Sequence, residues 1–71
     1  MRPEPEAPAN PFDHVLDAVR QLPTNQRSVI VLRYYLQLTD EEIASTLGMR
    51  PGTVKSTLHR ARQTLREVLQ P

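Results

Sequence analysis

Residues 39–62 read Thr-Asp-Glu-Glu-Ile-Ala-Ser-Thr-Leu-Gly-Met-Arg-Pro-Gly-Thr-Val-Lys-Ser-Thr-Leu-His-Arg-Ala-Arg. Two helical patterns meet in this stretch at a glycine, and their junction decides the fold. Thr39 is placed to cap the first helix, its hydroxyl accepting from a free backbone N–H. Glu42, three residues on, can reach back to the Thr39 N–H, which completes a capping box. Asp40, Glu41 and Glu42 put negative charge in the first turn, where the helix dipole favours it. Ile43, Ala44 and Leu47 share one apolar face. Gly48 suits the left-handed residue that follows a helix end. Met49 and Arg50 make the turn, and Pro51 fits the first position of the next helix, where its missing N–H has no partner to lose.

The second of these helices is expected over 51–69. Val54, Leu58, Ala61, Leu65 and Val68 or Leu69 form one stripe that must face a core. Gly52, Ser56, His59, Arg60 and Gln63 lie opposite. Lys55, Arg62 and Arg66 flank one edge of that face, and Thr53, Thr57 and Thr64 the other. A helix with an apolar back and a basic, hydrogen-bonding front is what the DNA major groove admits. A short capped helix, a glycine turn and a basic helix make a helix-turn-helix.

Working towards the N-terminus, residues 24–37 read as another helix. Val29, Ile30, Leu32, Leu36 and Val31 form its apolar set, broader than one stripe, so the helix is expected to be contacted on two sides and central to the fold. The β-branched run Val29-Ile30-Val31 is not read as a strand, because helical spacing continues on either side of it. Asn10-Pro11 starts a first helix that runs to about residue 22, with Asn10 as cap. Phe12, Val15, Leu16, Val19 and Leu22 form its stripe, and Phe12 is expected to anchor the core. Pro23 ends this helix or opens the next. Residues 1–10 carry Pro3, Pro5 and Pro8 and nothing that builds a core, so they read as a disordered tail or linker. The expected architecture is all-α: four helices over 11–71, with a C-terminal helix-turn-helix and no wing.

Length and composition bound the rest. Seventy-one residues make one small domain. The chain has no cysteine, so it has neither disulfide staples nor thiolate metal sites. No apolar run approaches membrane-spanning length, and the N-terminus lacks a signal-peptide core, so no membrane is expected. The net charge is only +1, but it is polarised. Residues 1–48 hold four arginines against seven acids, and residues 49–71 hold five cations against Glu67 alone. Such asymmetry is an electrostatic footprint for an anionic partner. Enzymatic readings fail. Asp13, His14 and Asp17 lie near one another on a helix, but no second pair completes a metal site. Ser28, Ser45 and Ser56 lack a supporting His/Asp arrangement. Gly48 and Gly52 are the only glycines, so no phosphate-binding loop exists. No cofactor is expected.

The residues also resemble a known family. Leu22-Pro23-x-x-x-Arg27, Leu32-Arg33-Tyr34-Tyr35, Glu42-Ile43-Ala44-x-x-Leu47-Gly48 and Gly52-Thr53-Val54-Lys55-Ser56-x-Leu58-His59-Arg60-Ala61-Arg62 are similar to region 4 of bacterial RNA polymerase sigma factors, in particular the extracytoplasmic-function (ECF) group. The resemblance covers roughly residues 12–69. It implies a cytoplasmic domain that binds the double-stranded promoter −35 element within RNA polymerase holoenzyme. It also implies surfaces for the β-subunit flap of the polymerase core and for an anti-sigma factor. Carried over by position, Lys55, Ser56, His59 and Arg60 would face base edges or nearby phosphates. Arg50, Thr53, Arg62 and Gln63 would hold the DNA backbone, with Arg33 and Tyr34 as weaker candidates.

Three positions depart from the family pattern. Arg50 stands where Ser is frequent and cannot cap the helix. Gln37 stands where Gly is usual, so either a different turn or slight strain is expected there. Thr57 stands where a basic residue is common, so one phosphate contact is expected to be missing. Two other readings compete. The output domain of a response regulator shares the Ile-Ala-x-x-Leu-Gly and Thr-Val-Lys cores, but typically lacks the Ser-x-Leu-x-Arg-Ala-Arg that follows here. A module used mainly for protein interaction would draw on the broad apolar second helix.

Overall fold

The computed structural model describes residues 11–70, with side chains from Asp13 onward. The expected tail over 1–10 and the Asn10 cap lie outside the described residues, and the Phe12 anchor outside the described side chains. Helix α1 spans Pro11–Arg20. Helix α2 spans Thr24–Ile30 and continues without a break as a π turn over Val31–Tyr35. Helix α3 spans Asp40–Leu47 and α4 spans Pro51–Leu69. The chain is all-α, as the sequence predicts.

α1 ends two residues before its apolar pattern does. The Gln21 N–H is shared between the Asp17 and Ala18 carbonyls at 3.2 Å each, and the Leu22 N–H reaches Val19 at 3.1 Å. The helix tightens there because Pro23 keeps the residue before it out of the helical region. Pro23 then serves as the N-cap of α2, its carbonyl accepting from the Arg27 N–H at 2.9 Å. Arg27 also closes the previous helix. Its Nη1 donates to the exposed Arg20 carbonyl at 3.1 Å.

α4 packs against α1, α2 and α3. α2 packs against α1 and α4, and its π turn against α3, so it is contacted on more than one side as expected. The core comprises Ala18, Val19, Leu22, Val29, Ile30, Ile43, Ala44, Val54, Leu58 and Ala61, with Val29, Ile43 and Val54 fully buried. Leu32, Leu38, Leu47, Met49 and Leu65 pack around it.

Some apolar expectations fail, each for a local reason. Leu36 is 61% exposed. Its N–H bonds the Val31 carbonyl at 3.2 Å, five residues back. That wider turn advances less per residue, which rotates Leu36 off the stripe. Val68 and Leu69 are exposed because the contacts of α4 end at Leu65 and the helix runs past its partners. Val15 lies at the rim of the α1 stripe. Ala18, which the pattern passed over, is buried.

The chain leaves α2 through Gln37, whose φ is +57°. Left-handed backbone is costly for a residue with a Cβ, so the strain expected at this position is present.

Candidate nucleic-acid interface

The helix-turn-helix is built from the cap outward. Thr39 Oγ1 accepts from the Glu42 N–H at 3.1 Å, and Glu42 Oε1 accepts from the Thr39 N–H at 2.9 Å, so both halves of the capping box form. The backbone and side-chain bonds from Thr39 hold the Glu42 carboxyl below its ordinary value. The other end of α3 closes on Gly48, with φ +67°. The Gly48 N–H reaches the Ala44 carbonyl, and the Met49 N–H reaches the same oxygen at 2.9 Å. A Cβ on Gly48 would meet nothing within 4 Å, so its backbone angle alone calls for glycine.

Arg50 is the N-cap of α4, with φ −81° and ψ 148°. Its carbonyl accepts from the Val54 N–H at 3.0 Å, but its side chain caps nothing, as its chemistry requires. The helix start therefore rests on Pro51 and leaves the first-turn N–H groups of Gly52 and Thr53 for another acceptor.

From that start, α4 sorts its side chains. Val54, Leu58 and Ala61 go inward. Arg50, Thr53, Lys55, Ser56, His59, Arg60, Arg62 and Gln63 are all exposed. Ser56 Oγ donates back to the Gly52 carbonyl at 3.1 Å, which keeps its short side chain against the helix. Thr57 corrects the sequence reading. It is 8% exposed, and its hydroxyl bonds the Thr53 carbonyl at 2.7 Å. It belongs to the packed side of α4 rather than to a polar edge. Thr64 is half-buried beside Gln26, with Oγ1 and Oε1 3.4 Å apart.

Arg33 and Tyr34 sit side by side in the π turn and are used differently. Arg33 Nη1 lies 3.3 Å from the Leu38 carbonyl and 3.4 Å from Asp40 Oδ1, which ties the α2–α3 connection together. Its side chain is thus engaged within the fold. Tyr34 takes a hydrogen bond from Arg62 Nε at 2.8 Å.

Among the described residues the ion pairs are Arg20–Asp17 at 3.7 Å and Arg33–Asp40 at 3.4 Å. Arg50, Lys55, Arg60, Arg62 and Arg66 have no carboxylate partner there. Arg27 also lacks one, its guanidinium bonded to the Arg20 carbonyl, so five of the six unpaired cations among the described residues are on or beside α4. An apolar groove of about 310 Å³ opens between α1, the end of α2 and α4, lined by Val15, Val19, Ile30 and Leu65, with Tyr34, Tyr35, Arg62 and Arg66 at the border it shares with the basic face. Among the described residues no three His, Asp or Glu gather to hold a metal ion, and no helix is long and apolar enough to cross a membrane.

This fold and this face define a helix-turn-helix module whose second helix presents cations without a carboxylate partner among the described residues. The family described as Sigma-70, region 4 matches residues 13–65, and the chain belongs to it. Among its relatives, the RNA polymerase sigma-E factor of Streptomyces antibioticus is 55% identical over 56 residues, covering 79% of this chain and 31% of that protein. The sigma-E factor of Streptomyces coelicolor is 44% identical over 77 aligned positions, covering 94% and 44%. The ECF RNA polymerase sigma factor SigL of Mycobacterium tuberculosis is 45% identical over 56 residues, covering 79% and 32%. The ECF resemblance read from the sequence is therefore shown. The chain spans less than half the length of each of these relatives.

Proposed function

We propose that this domain recognises a promoter −35 element and thereby directs RNA polymerase to initiate transcription, with α4 lying in the major groove. The observation that supports this reading is the set of five cations on or beside α4 that have no carboxylate partner among the described residues, on a helix whose opposite side is buried. Phosphate neutralisation by these cations supplies most of the affinity. Base-edge contacts from Lys55, Ser56, His59 and Arg60 supply specificity. Arg50, Thr53, Arg62 and Gln63 hold the backbone. The free N–H groups at the start of α4 suit a phosphate.

The apolar groove between α1, α2 and α4 suits a helix of the polymerase β flap, and an anti-sigma factor would compete for such a surface. Residues 11–71 act as the binding unit, in the cytoplasm and without catalysis. The response-regulator alternative is not favoured, since the family match and the relatives are sigma factors.

The test is an amide NMR titration with a duplex carrying an ECF-type −35 element beside a scrambled duplex. The expected result is shifts concentrated in residues 50–63 and stronger for the cognate duplex. Equal weak shifts with both would leave only a basic surface. No shifts at all would move the protein-interaction reading to the front.

A further inference from the structure

One side-chain bond joins the end of α2 to the middle of α4. Arg62 Nε donates to the Tyr34 hydroxyl oxygen at 2.8 Å, across 28 positions of sequence. Arg62 Cζ lies 5.7 Å from the Tyr34 ring centroid, near the outer limit of a cation–π contact. The hydrogen bond is therefore the orienting interaction. Both side chains are exposed, and a bond between two exposed groups contributes little to stability.

The donors left over point to a use. A guanidinium carries five N–H donors in a fixed plane, and the bond to Tyr34 takes only the one on Nε. The phenol oxygen accepts that bond, so its own O–H remains to be given. Among the described residues nothing takes it, and no carboxylate pairs with Arg62. The neighbouring cation polarises the phenol O–H and makes it a better donor. Lys55 stands two turns earlier on the same edge of α4, within about 20° at 3.6 residues per turn. An arginine side chain has wide rotamer freedom, and fixing it beforehand reduces what is lost when it binds a phosphate.

We infer that Tyr34 is a positioning residue for DNA: its hydroxyl aims Arg62, and the pair clamps one backbone phosphate beside the groove that α4 enters. This inference rests on the DNA-binding reading above and adds a residue from outside the helix-turn-helix to it.

The test uses the 71-residue chain with Tyr34→Phe, Arg62→Ala and the double substitution, and Arg60→Ala as reference. Binding to cognate and scrambled duplexes is followed across roughly 50–200 mM salt. Tyr34→Phe keeps the ring, and thermal melts check that each variant folds. The expected result is about tenfold weaker binding for either single substitution, equal on both duplexes. The double variant should lose less than the sum of the two single losses, since Tyr34→Phe already disorders Arg62. The slope of log affinity against log salt should fall by about one in all three. A phenol carries no charge, so removing its hydroxyl changes that slope only by moving Arg62. Unchanged or tighter binding by Tyr34→Phe, with Arg60→Ala still losing cognate preference, overturns this inference and leaves the DNA reading intact. Absence of salt-dependent binding by the unsubstituted chain overturns both.

Discussion

Thr39 and Glu42 exchange two hydrogen bonds, at 3.1 and 2.9 Å, and so satisfy two backbone donors at the entrance to the helix-turn-helix. Thr39→Ala removes the acceptor and should cost about 1 kcal/mol in urea or thermal unfolding.

The other bond of the pair, from the Thr39 N–H to Glu42 Oε1, sets a pH dependence. The folded Glu42 carboxyl titrates below its ordinary value because Thr39 bonds the ionised form. Its contribution is therefore complete above the ordinary carboxylate value and is lost as pH falls through the lower, folded one. Glu42→Gln should flatten the acid limb of the stability–pH curve. Parallel curves for the two proteins would show that other carboxylates set that limb.

Gln37 holds a left-handed backbone with a side chain that does not favour it. Relief of that strain by Gln37→Gly is worth about 1–2 kcal/mol. The extra freedom of glycine in the unfolded chain offsets about 0.4–1 kcal/mol of it. A net gain of about 0–1.6 kcal/mol is expected, read from the midpoint of chemical unfolding. A loss would mean that Gln37 makes a contact that compensates for its backbone.

Arg50 sets stability against binding. Arg50→Ser supplies the missing cap of α4 and should stabilise the fold by about 1 kcal/mol. It also removes a cation beside the groove, so DNA affinity should fall on all sequences and the salt slope should drop by about one. Melting and salt titration of one variant should thus move in opposite directions.

Arg60 is exposed, unpaired among the described residues, and opposite the buried stripe. Arg60→Ala should cost about 1–3 kcal/mol on cognate duplex and relax specificity. Equal losses on cognate and scrambled duplex would reassign it to a phosphate.

Ile43 is fully buried between the two halves of the helix-turn-helix core. Ile43→Val should cost about 0.5–1.5 kcal/mol, and Ile43→Ala about 2–5 kcal/mol. A domain of this size holds only several kcal/mol in total, so the alanine variant should be largely unfolded by thermal melt.

The helix-turn-helix was readable because its signals are local. Thr39, Glu42, Gly48 and Pro51 each carry a conformational preference within one turn of where it acts, and each is found in that role. The exposure of the candidate face was equally readable, since helical period alone puts Ser56, Arg60 and Gln63 opposite Val54 and Leu58, with Lys55 on the edge between. What period could not supply was the neighbour. Thr57 is polar yet buried, because burial depends on which side of α4 the rest of the fold covers. Val68 and Leu69 are apolar yet exposed, because the stripe outlasts its partners. Leu36 was misplaced because no local signal in Val31–Tyr35 announces a wider turn. The Tyr34–Arg62 bond spans two helices, and no spacing rule reaches across them.

That wider turn has a consequence for chain length. From five consecutive residues, Val31–Tyr35, Arg33 reaches towards α3 and Tyr34 towards α4. Both ties depend on the angular phase that the π turn sets. The Leu36 N–H meets the Val31 carbonyl five residues back, so this turn holds one residue more than an ordinary helical turn. Deleting one residue between them would close an ordinary turn on the same carbonyl and leave the residues after it near their present phase. A further inserted residue, with no second wide turn to absorb it, would swing them by about 100°. Loss and gain of a residue here are therefore unequal: the segment has one residue to give up and no room for another.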